Sequence, residues 1–115
     1  KLCINVWGDA AIGFTGMDFE TAVRERLPIL SILLNNSSMA MELKVMPTAT
    51  EKFRSTDIGG NYADFAKALG GHGERVSAVE EIVPAIRRAI AATQAGQPAL
   101  LEFMTSQEQD FSRYP

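Results

Sequence analysis

Gly8-Asp9-Ala10-Ala11 stands where an apolar run, Leu2-Cys3-Ile4-Asn5-Val6-Trp7, stops abruptly. Asn35-Asn36-Ser37-Ser38 stands in the same way at the end of a second apolar run, Ile29-Leu30-Ser31-Ile32-Leu33-Leu34. Short apolar runs rich in β-branched residues, separated by a helical stretch, are typical of parallel strands that are buried on both faces. We therefore predict two neighbouring parallel strands whose polar ends lie at the same edge of one sheet.

The polar residues at these two strand ends predict a ligand site. In open parallel sheets, ligands bind just beyond the carboxyl ends of the strands. Asp9 supplies a carboxylate there and Asn36 supplies an amide carbonyl, and these oxygen ligands suit a hard ion such as Mg²⁺. A plainer interpretation stays open at this point, in which Asp9 caps the first helix and Asn35-Asn36 forms only a turn.

The rest of the chain alternates between helix and strand, which predicts an α/β fold with a mostly parallel sheet and helices on both faces. We expect a single three-layer α/β/α domain over residues 1–115. The first predicted helix covers residues 11–26 and ends before Pro28. A second helix is capped by Asn61 and ends at Gly70-Gly71, and a strand follows at residues 74–76. A third helix begins with the capping box Ser77-Ala78-Val79-Glu80, and the last strand covers residues 99–104.

Two stretches have weaker patterns. Residues 37–60 are irregular, with a short helix expected over residues 38–44, and long irregular runs in compact domains are usually functional or mobile. His72, the only histidine, lies between two glycines and is expected on an exposed loop without a catalytic role. No pair of nucleophile and base is visible, so no catalytic residue is predicted in this chain.

Composition excludes several classes of function. The net charge of −3 and the pI of about 5.1 argue against a nucleic-acid-binding surface. No apolar run approaches the ~20 residues of a membrane helix, so we expect a soluble, cytoplasmic protein. The single cysteine, Cys3, cannot form an internal disulfide and is expected to be a small core residue of the first strand.

The two motifs together resemble the signature of thiamine-diphosphate enzymes, which is Gly-Asp-Gly followed at a set distance by Asn-Asn. Here it is Gly8-Asp9-Ala10, a spacer from residue 11 to residue 34, and Asn35-Asn36. The flanking residues, Thr21-Ala22-Val23-Arg24-Glu25, Leu27-Pro28-Ile29 and Leu33-Leu34, resemble the acetolactate synthase-like group. Two departures are Ala10 in place of the third motif residue, Gly, and Val45 where biosynthetic acetolactate synthases have Trp.

The resemblance implies an N-terminally truncated, C-terminal thiamine-diphosphate-binding domain over residues 1–115. It implies that Mg²⁺ is held by the side chains of Asp9 and Asn36 and by the backbone carbonyl of Ser38. Asn35 would orient the turn. The residues expected to contact the diphosphate by close backbone approach or by main-chain N–H groups are Gly8, Ala10, Ala11, Met39 and Ala40.

For the whole enzyme, the resemblance implies decarboxylation of a 2-oxo acid and transfer of the resulting acyl or aldehyde unit. The cofactor's carbanion would perform this chemistry, with an activating glutamate from another domain. Expected partners are a 2-oxo acid, the remaining domains of the same enzyme, and further copies in a homodimer or homotetramer. The alternative is a non-catalytic, flavodoxin-like binding or regulatory module, for which Asp18 and Glu20 would be the further acidic residues, although both fall on the first helix.

Overall fold

The computed structural model describes residues 1–108. The polar tail of the sequence carries Phe111 and Tyr114, which we expect to anchor it onto another part of the protein; both lie outside the described residues. The elements, in chain order, are β1 (Cys3–Gly8), α1 (Asp9–Thr15), α2 (Asp18–Arg24), β2 (Ile29–Asn35), α3 (Pro47–Phe53), α4 (Tyr62–Ala68), β3 (His72–Val76), α5 (Ile82–Gln94) and β4 (Ala99–Met104), with short 3-10 turns at Glu42–Lys44 and Val79–Glu81.

The four strands form one parallel sheet in the order β1-β2-β4-β3. Gly8 lies beside Leu34, and Asn35 lies beside Met104. Because the strands are parallel and in this register, the segments that follow β1, β2 and β4 leave the sheet at the same edge. The predicted convergence of the two motifs at one edge is confirmed.

Helices cover both faces of the sheet and create two apolar clusters. On one face, α5 packs through Ala85 and Ala89 against Leu30 and Leu101. The buried cluster on the opposite face unites helix and strand residues, namely Ile12, Phe19, Leu33, Ala66 and Leu100. The predicted α/β fold with helices on both sides of a parallel sheet is therefore confirmed.

The prediction that β1 is buried on both faces is wrong. β1 is an edge strand, and Ile4 and Val6 are 60% and 63% exposed because no described element covers them. Cys3 is also exposed, so it is not the core residue that the apolar run suggested. Beside this uncovered surface, an open apolar groove of about 420 Å³ runs along α5 and the ends of β2 and β4.

The single helix predicted over residues 11–26 is two helices. α1 starts earlier than predicted, at Asp9, and ends at Thr15, while α2 starts at Asp18. Gly16 lies at the break, where a Cβ atom would come within 2.6 Å of the Ile12 carbonyl oxygen. The break allows Ile12 in α1 and Phe19 in α2 both to be buried.

Two local predictions between the sheet strands are wrong. In place of the helix predicted over residues 38–44, the structure has only the 3-10 turn Glu42–Lys44. The next helix, α3, begins at Pro47, because the fixed φ of proline suits the first turn of a helix. His72 is not on an exposed loop, since it is the first residue of β3 and its N–H bonds the Pro98 carbonyl.

The ends of α4 and α5 test the capping predictions. The Asn61 side chain accepts a hydrogen bond from the Asp64 N–H at 3.4 Å, as predicted for an N-cap, and Gly70 ends the α4 region with a φ of 94°. The capping box at residues 77–80 does not form, because Val79–Glu81 is a 3-10 turn and α5 begins at Ile82 without a side-chain cap.

A close contact between α4 and β3 makes Gly73 a sensitive position. A Cβ atom there would lie 2.0 Å from the Ala63 carbonyl oxygen, which is backbone and cannot move away alone. We expect Gly73→Ala to lower the free energy of unfolding by about 3 kcal/mol, the upper end of typical overpacking costs. Gly13→Ala is the matched control, because its Cβ meets nothing within 4 Å and alanine favours a helix by up to ~1 kcal/mol. Equal urea-unfolding midpoints for the two variants would contradict this contact.

Candidate functional site

The candidate site lies where β1 and β2 end. Asp9 begins α1 directly after Gly8, and Asn36, Ser37 and Ser38 follow the last residue of β2, Asn35. Asp9, Asn35 and Ser38 are buried, at 6%, 1% and 6% exposure, although their residue types are usually found at the surface. Burial of this many polar groups requires specific partners, and these partners define the site.

The side chains of two predicted metal ligands, Asp9 and Asn36, meet at the Ser38 main-chain N–H group. The Ser38 N–H donates to the Asp9 carboxylate Oδ2 at 3.2 Å and to the Asn36 Oδ1 at 3.0 Å. The other Asp9 oxygen, Oδ1, accepts a hydrogen bond from the Ala10 N–H at 2.9 Å. The structure thus brings a carboxylate and an amide oxygen from two separate strand ends to the same position, beside the Ser38 backbone.

The turn after β2 takes its shape from Asn35. Its Oδ1 accepts hydrogen bonds from the Ser37 N–H at 2.9 Å and from the Ser37 hydroxyl at 3.3 Å. Ser37 has a φ of 58°, the left-handed conformation that such a tight turn requires. Asn35 therefore orients the turn, in agreement with the role that the resemblance implied.

The segment after the turn is paired with the approach to α4. Met39 donates its N–H to the Thr56 carbonyl at 2.8 Å, and Ile58 donates to the Ser37 carbonyl at 3.2 Å. Because the N–H groups of Ala10 and Met39 already have protein acceptors, two of the expected phosphate donors are engaged in this structure. Among the other predicted contact residues, Gly8 and Ala11 are exposed and Ala40 is buried.

The electrostatics of Asp9 favour a bound cation. Within residues 1–108, the Asp9 carboxylate forms no ion pair and is stabilised by main-chain N–H groups. An almost fully buried carboxylate without a cation is costly. The Asn36 amide oxygen lies beside it, and these two oxygens, with the Ser38 main-chain carbonyl that the resemblance implied, are of the kind Mg²⁺ prefers. The residues present therefore fit a magnesium site, although the described chain holds no cluster of three His, Cys, Asp or Glu residues.

Tyr62 closes one side of the site. Its hydroxyl donates to the Asp9 main-chain carbonyl at 3.4 Å. Burial raises the pKa of the Tyr62 phenol, and the nearby carboxylates of Asp9 and Glu102 raise it further. Tyr62 therefore stays neutral at physiological pH and acts as a hydrogen-bond donor. Space remains beside Gly8, where a Cβ atom would meet nothing within 4 Å, so the backbone here is open to a ligand.

Glu102 is a buried charged residue that sequence reasoning missed. Its side chain is fully buried in β4 and accepts hydrogen bonds from the Asn35 amide at 2.7 Å, the Ala63 N–H at 2.9 Å, and the Arg75 Nη2 at 2.8 Å. Burial raises the pKa of the Glu102 carboxyl, but the bonds from Arg75, Ala63 and Asn35 outweigh this effect and hold the pKa below its usual value. A single acidic residue inside the apolar run of residues 99–104 was the available signal.

His72 takes no part in this site. It begins β3 in register with Ala99, the first residue of β4, and so lies at the amino ends of the strands, opposite the motifs. Its Nε2 lies 3.6 Å from the carboxylate of Glu74. Asp18 and Glu20, the acidic residues considered for a regulatory module, lie on α2 and not at a strand end. Within residues 1–108, no helix has the length and apolar character needed to cross a membrane.

A parallel sheet that delivers an aspartate and an asparagine to one edge defines an α/β domain with a candidate ligand site at that edge. The chain belongs to the thiamine pyrophosphate enzyme family, because the profile of its C-terminal TPP-binding domain matches residues 1–103. This assignment confirms the family suggested by the motif pair and argues against the flavodoxin-like alternative.

Several relatives are similar over most of the chain. The acetolactate synthase large subunit IlvG of Mycobacterium tuberculosis (strain ATCC 25618 / H37Rv) is 36% identical over 100 residues, covering 85% of this chain and 18% of the relative. Human 2-hydroxyacyl-CoA lyase 1 is 31% identical over 124 residues, covering 94% of this chain and 21% of the lyase. The chain thus spans about a fifth of the length of these relatives.

The solved structures share the same fold. A thiamine diphosphate-dependent 4-hydroxybenzoylformate decarboxylase of Rhodococcus jostii RHA1 superposes with a TM-score of 0.79 over 96% of this chain and 21% of the decarboxylase, at 23% identity. Benzoylformate decarboxylase from Polynucleobacter necessarius gives a TM-score of 0.80 at 14% identity, over 96% of this chain and 20% of that enzyme. Both similarities support the α/β fold described above.

Proposed function

We propose that this chain is the diphosphate- and Mg²⁺-binding part of a thiamine-diphosphate enzyme of the acetolactate synthase-like group. The whole enzyme would decarboxylate a 2-oxo acid and transfer the resulting acyl or aldehyde unit to an acceptor. The observation that carries the proposal is the convergence of the Asp9 carboxylate and the Asn36 amide oxygen on the Ser38 backbone. Family membership and the relatives described above support it.

Charge explains why a metal is part of the proposal. A diphosphate needs neutralisation, and no Lys or Arg stands next to Gly8-Asp9 in the sequence. A bound divalent ion would supply the neutralising charge. Asp9, Asn36 and the carbonyl of Ser38 would hold the ion, and the open backbone at Gly8 would lie against the diphosphate.

The chemistry comes from the cofactor, and the chain binds and orients it. Thiamine diphosphate, when bound, supplies the nucleophile and the electron acceptor for cleavage next to a 2-oxo group. We assign no catalytic residue to this chain, because the buried polar side chains of Asp9, Asn35 and Glu102 are committed to the candidate metal site, the turn and the buried network. We further propose a cytoplasmic homodimer or homotetramer, in which the remaining domains of the enzyme supply the activating glutamate and the 2-oxo acid site.

Ligand-dependent thermal stability tests the proposal. We expect thiamine diphosphate with Mg²⁺ to raise the Tm of the full-length protein, since a ligand at 100 times its Kd stabilises the folded state by about 2.7 kcal/mol. Thiamine diphosphate with EDTA, and Mg²⁺ alone, are the controls and should each raise Tm much less. An unchanged Tm at millimolar cofactor and Mg²⁺ would contradict the proposed function.

A further inference from the structure

The strongest unexplained feature is the network around Glu102. Glu102 is fully buried, yet it carries a charge in the middle of an otherwise apolar strand. Arg75, its neighbour in register on β3, donates from Nε at 3.0 Å and from Nη2 at 2.8 Å, and Nη2 also donates to the Gly60 carbonyl at 3.0 Å. Sheet stability alone does not require this pair, because apolar residues of similar volume often stabilise a core equally well.

The network reaches the turn of the candidate metal site through the Asn35 amide. The Asn35 Nδ2 donates to Glu102 at 2.7 Å, while the Oδ1 on the other side accepts from the Ser37 N–H at 2.9 Å. Flipping the amide would place its NH₂ group against the Ser37 N–H and its oxygen against the carboxylate. Glu102 therefore holds Asn35 in the one orientation that can shape the turn.

The turn that Asn35 shapes carries the metal ligands. Ser37 adopts its left-handed conformation under the Asn35 hydrogen bonds, and this conformation directs the next residue, Ser38, towards Asp9. Asn36, between them, bonds the same Ser38 N–H. Loss of the Asn35 hydrogen bonds would remove what holds the left-handed conformation of Ser37, which lies between Asn36 and Ser38.

We propose that Glu102, oriented by Arg75, is a positioning residue that sets the geometry of the Asn36–Ser38 metal turn through the Asn35 side chain. This inference rests on the proposed function, because it assigns the turn to Mg²⁺ and the diphosphate. Buried groups that orient metal ligands at one remove commonly change metal affinity about 10- to 100-fold when they are replaced. An acid is needed at position 102 because all its hydrogen-bond partners are donors.

The test exchanges donor and acceptor along one hydrogen bond in the full-length protein. In Glu102→Gln, the new NH₂ group must stand either at Oε1, which accepts from Asn35 and the Arg75 Nη2, or at Oε2, which accepts from Ala63 and the Arg75 Nε, so donors always meet. Adding Asn35→Asp restores the hydrogen bond between positions 35 and 102, because the new carboxylate accepts from the new amide and still accepts from Ser37, while the Arg75 Nη2 keeps its bond to the Gly60 carbonyl. We expect Glu102→Gln to raise the Mg²⁺ concentration for half-maximal thiamine-diphosphate binding, measured by calorimetry, about tenfold or more. The double variant should recover most of the loss.

Leu101→Ala is the matched control for a purely structural effect. Leu101 is fully buried next to Glu102, but it packs on the opposite face of β4, against the α5 side. It should lower Tm without changing the Mg²⁺ requirement. If Glu102→Gln fails to fold, the Mg²⁺ requirement is measured in Arg75→Lys instead. Lysine keeps the positive charge but cannot form the bidentate hydrogen bonds of Arg75 to Glu102.

Three results would overturn the positioning role while leaving the proposed function intact. The first is an unchanged Mg²⁺ requirement in the folded Glu102→Gln variant, or in Arg75→Lys if that variant replaces it. The second is an equal loss of Mg²⁺ affinity in Leu101→Ala. The third is no recovery of Mg²⁺ affinity in the double variant. Absence of binding by the wild-type protein would instead overturn the proposed function and this inference with it. A selective loss with recovery supports the positioning role.

Discussion

Asp9→Asn is expected to weaken Mg²⁺ and thiamine diphosphate together, by about a hundredfold or more, in the full-length protein. The replacement keeps the shape of the side chain and removes the charge. The ion would then hold a diphosphate with one anionic protein ligand fewer, and a hundredfold loss corresponds to about 2.8 kcal/mol. Calorimetric titration of the cofactor at several Mg²⁺ concentrations measures both affinities.

The same experiment separates Asp9 from its neighbours. Asn36→Ala removes a neutral ligand that water can partly replace, because Mg²⁺ readily keeps waters. Its loss should be smaller, about tenfold, and excess Mg²⁺ should partly reverse it. His72→Ala should bind normally, because His72 lies at the opposite end of the sheet. Unchanged affinity in a folded Asp9→Asn variant would contradict the metal assignment.

The fold class and the motif pair could be predicted because each depends on contiguous sequence. The apolar runs before Asp9 and Asn35 predict parallel strands, and parallel strands necessarily present their following residues at one edge. Ala99–Met104 is likewise a strand with the predicted bounds. The metal ligands stay a prediction that rests on family-specific spacing, because general rules on turns do not distinguish them from an ordinary helix cap and turn.

Features that depend on distant pairing could not be predicted in the same way. β4 lies between β2 and β3, so Glu102 meets Asn35 on one neighbour and Arg75 on the other. The residues next to Glu102 in the sequence do not indicate these partners. The exposure of β1 is a similar case, because an apolar run shows that a strand can be buried but not whether any element covers it.

Removal of Arg75 should be the most destabilising change among the arginines of the described sheet and helices. Arg75→Ala leaves the fully buried Glu102 carboxylate with only the Asn35 and Ala63 donors. Breaking a buried pair from one side typically costs 3–5 kcal/mol, and we expect about 3 kcal/mol here, because the Arg75 side chain is 39% exposed and water can partly replace it. Arg88→Ala, which removes exposed ion pairs to Glu74 and Glu81, is the control and should change stability little.

The pH dependence of unfolding distinguishes this loss of charge pairing from loss of packing. In the wild-type protein, the pKa of Glu102 is held below its usual value, so its contribution is present above the unfolded pKa and is lost as pH falls through the folded one. Without Arg75, its hydrogen bonds and charge no longer lower the pKa of Glu102, and burial, the largest influence on this carboxyl, raises the folded pKa. Arg75→Ala should therefore regain stability as pH falls from 7 towards 5, where the wild-type protein does not. Parallel stability curves for the two proteins, measured by urea unfolding across this range, would show that Arg75 acts only through packing.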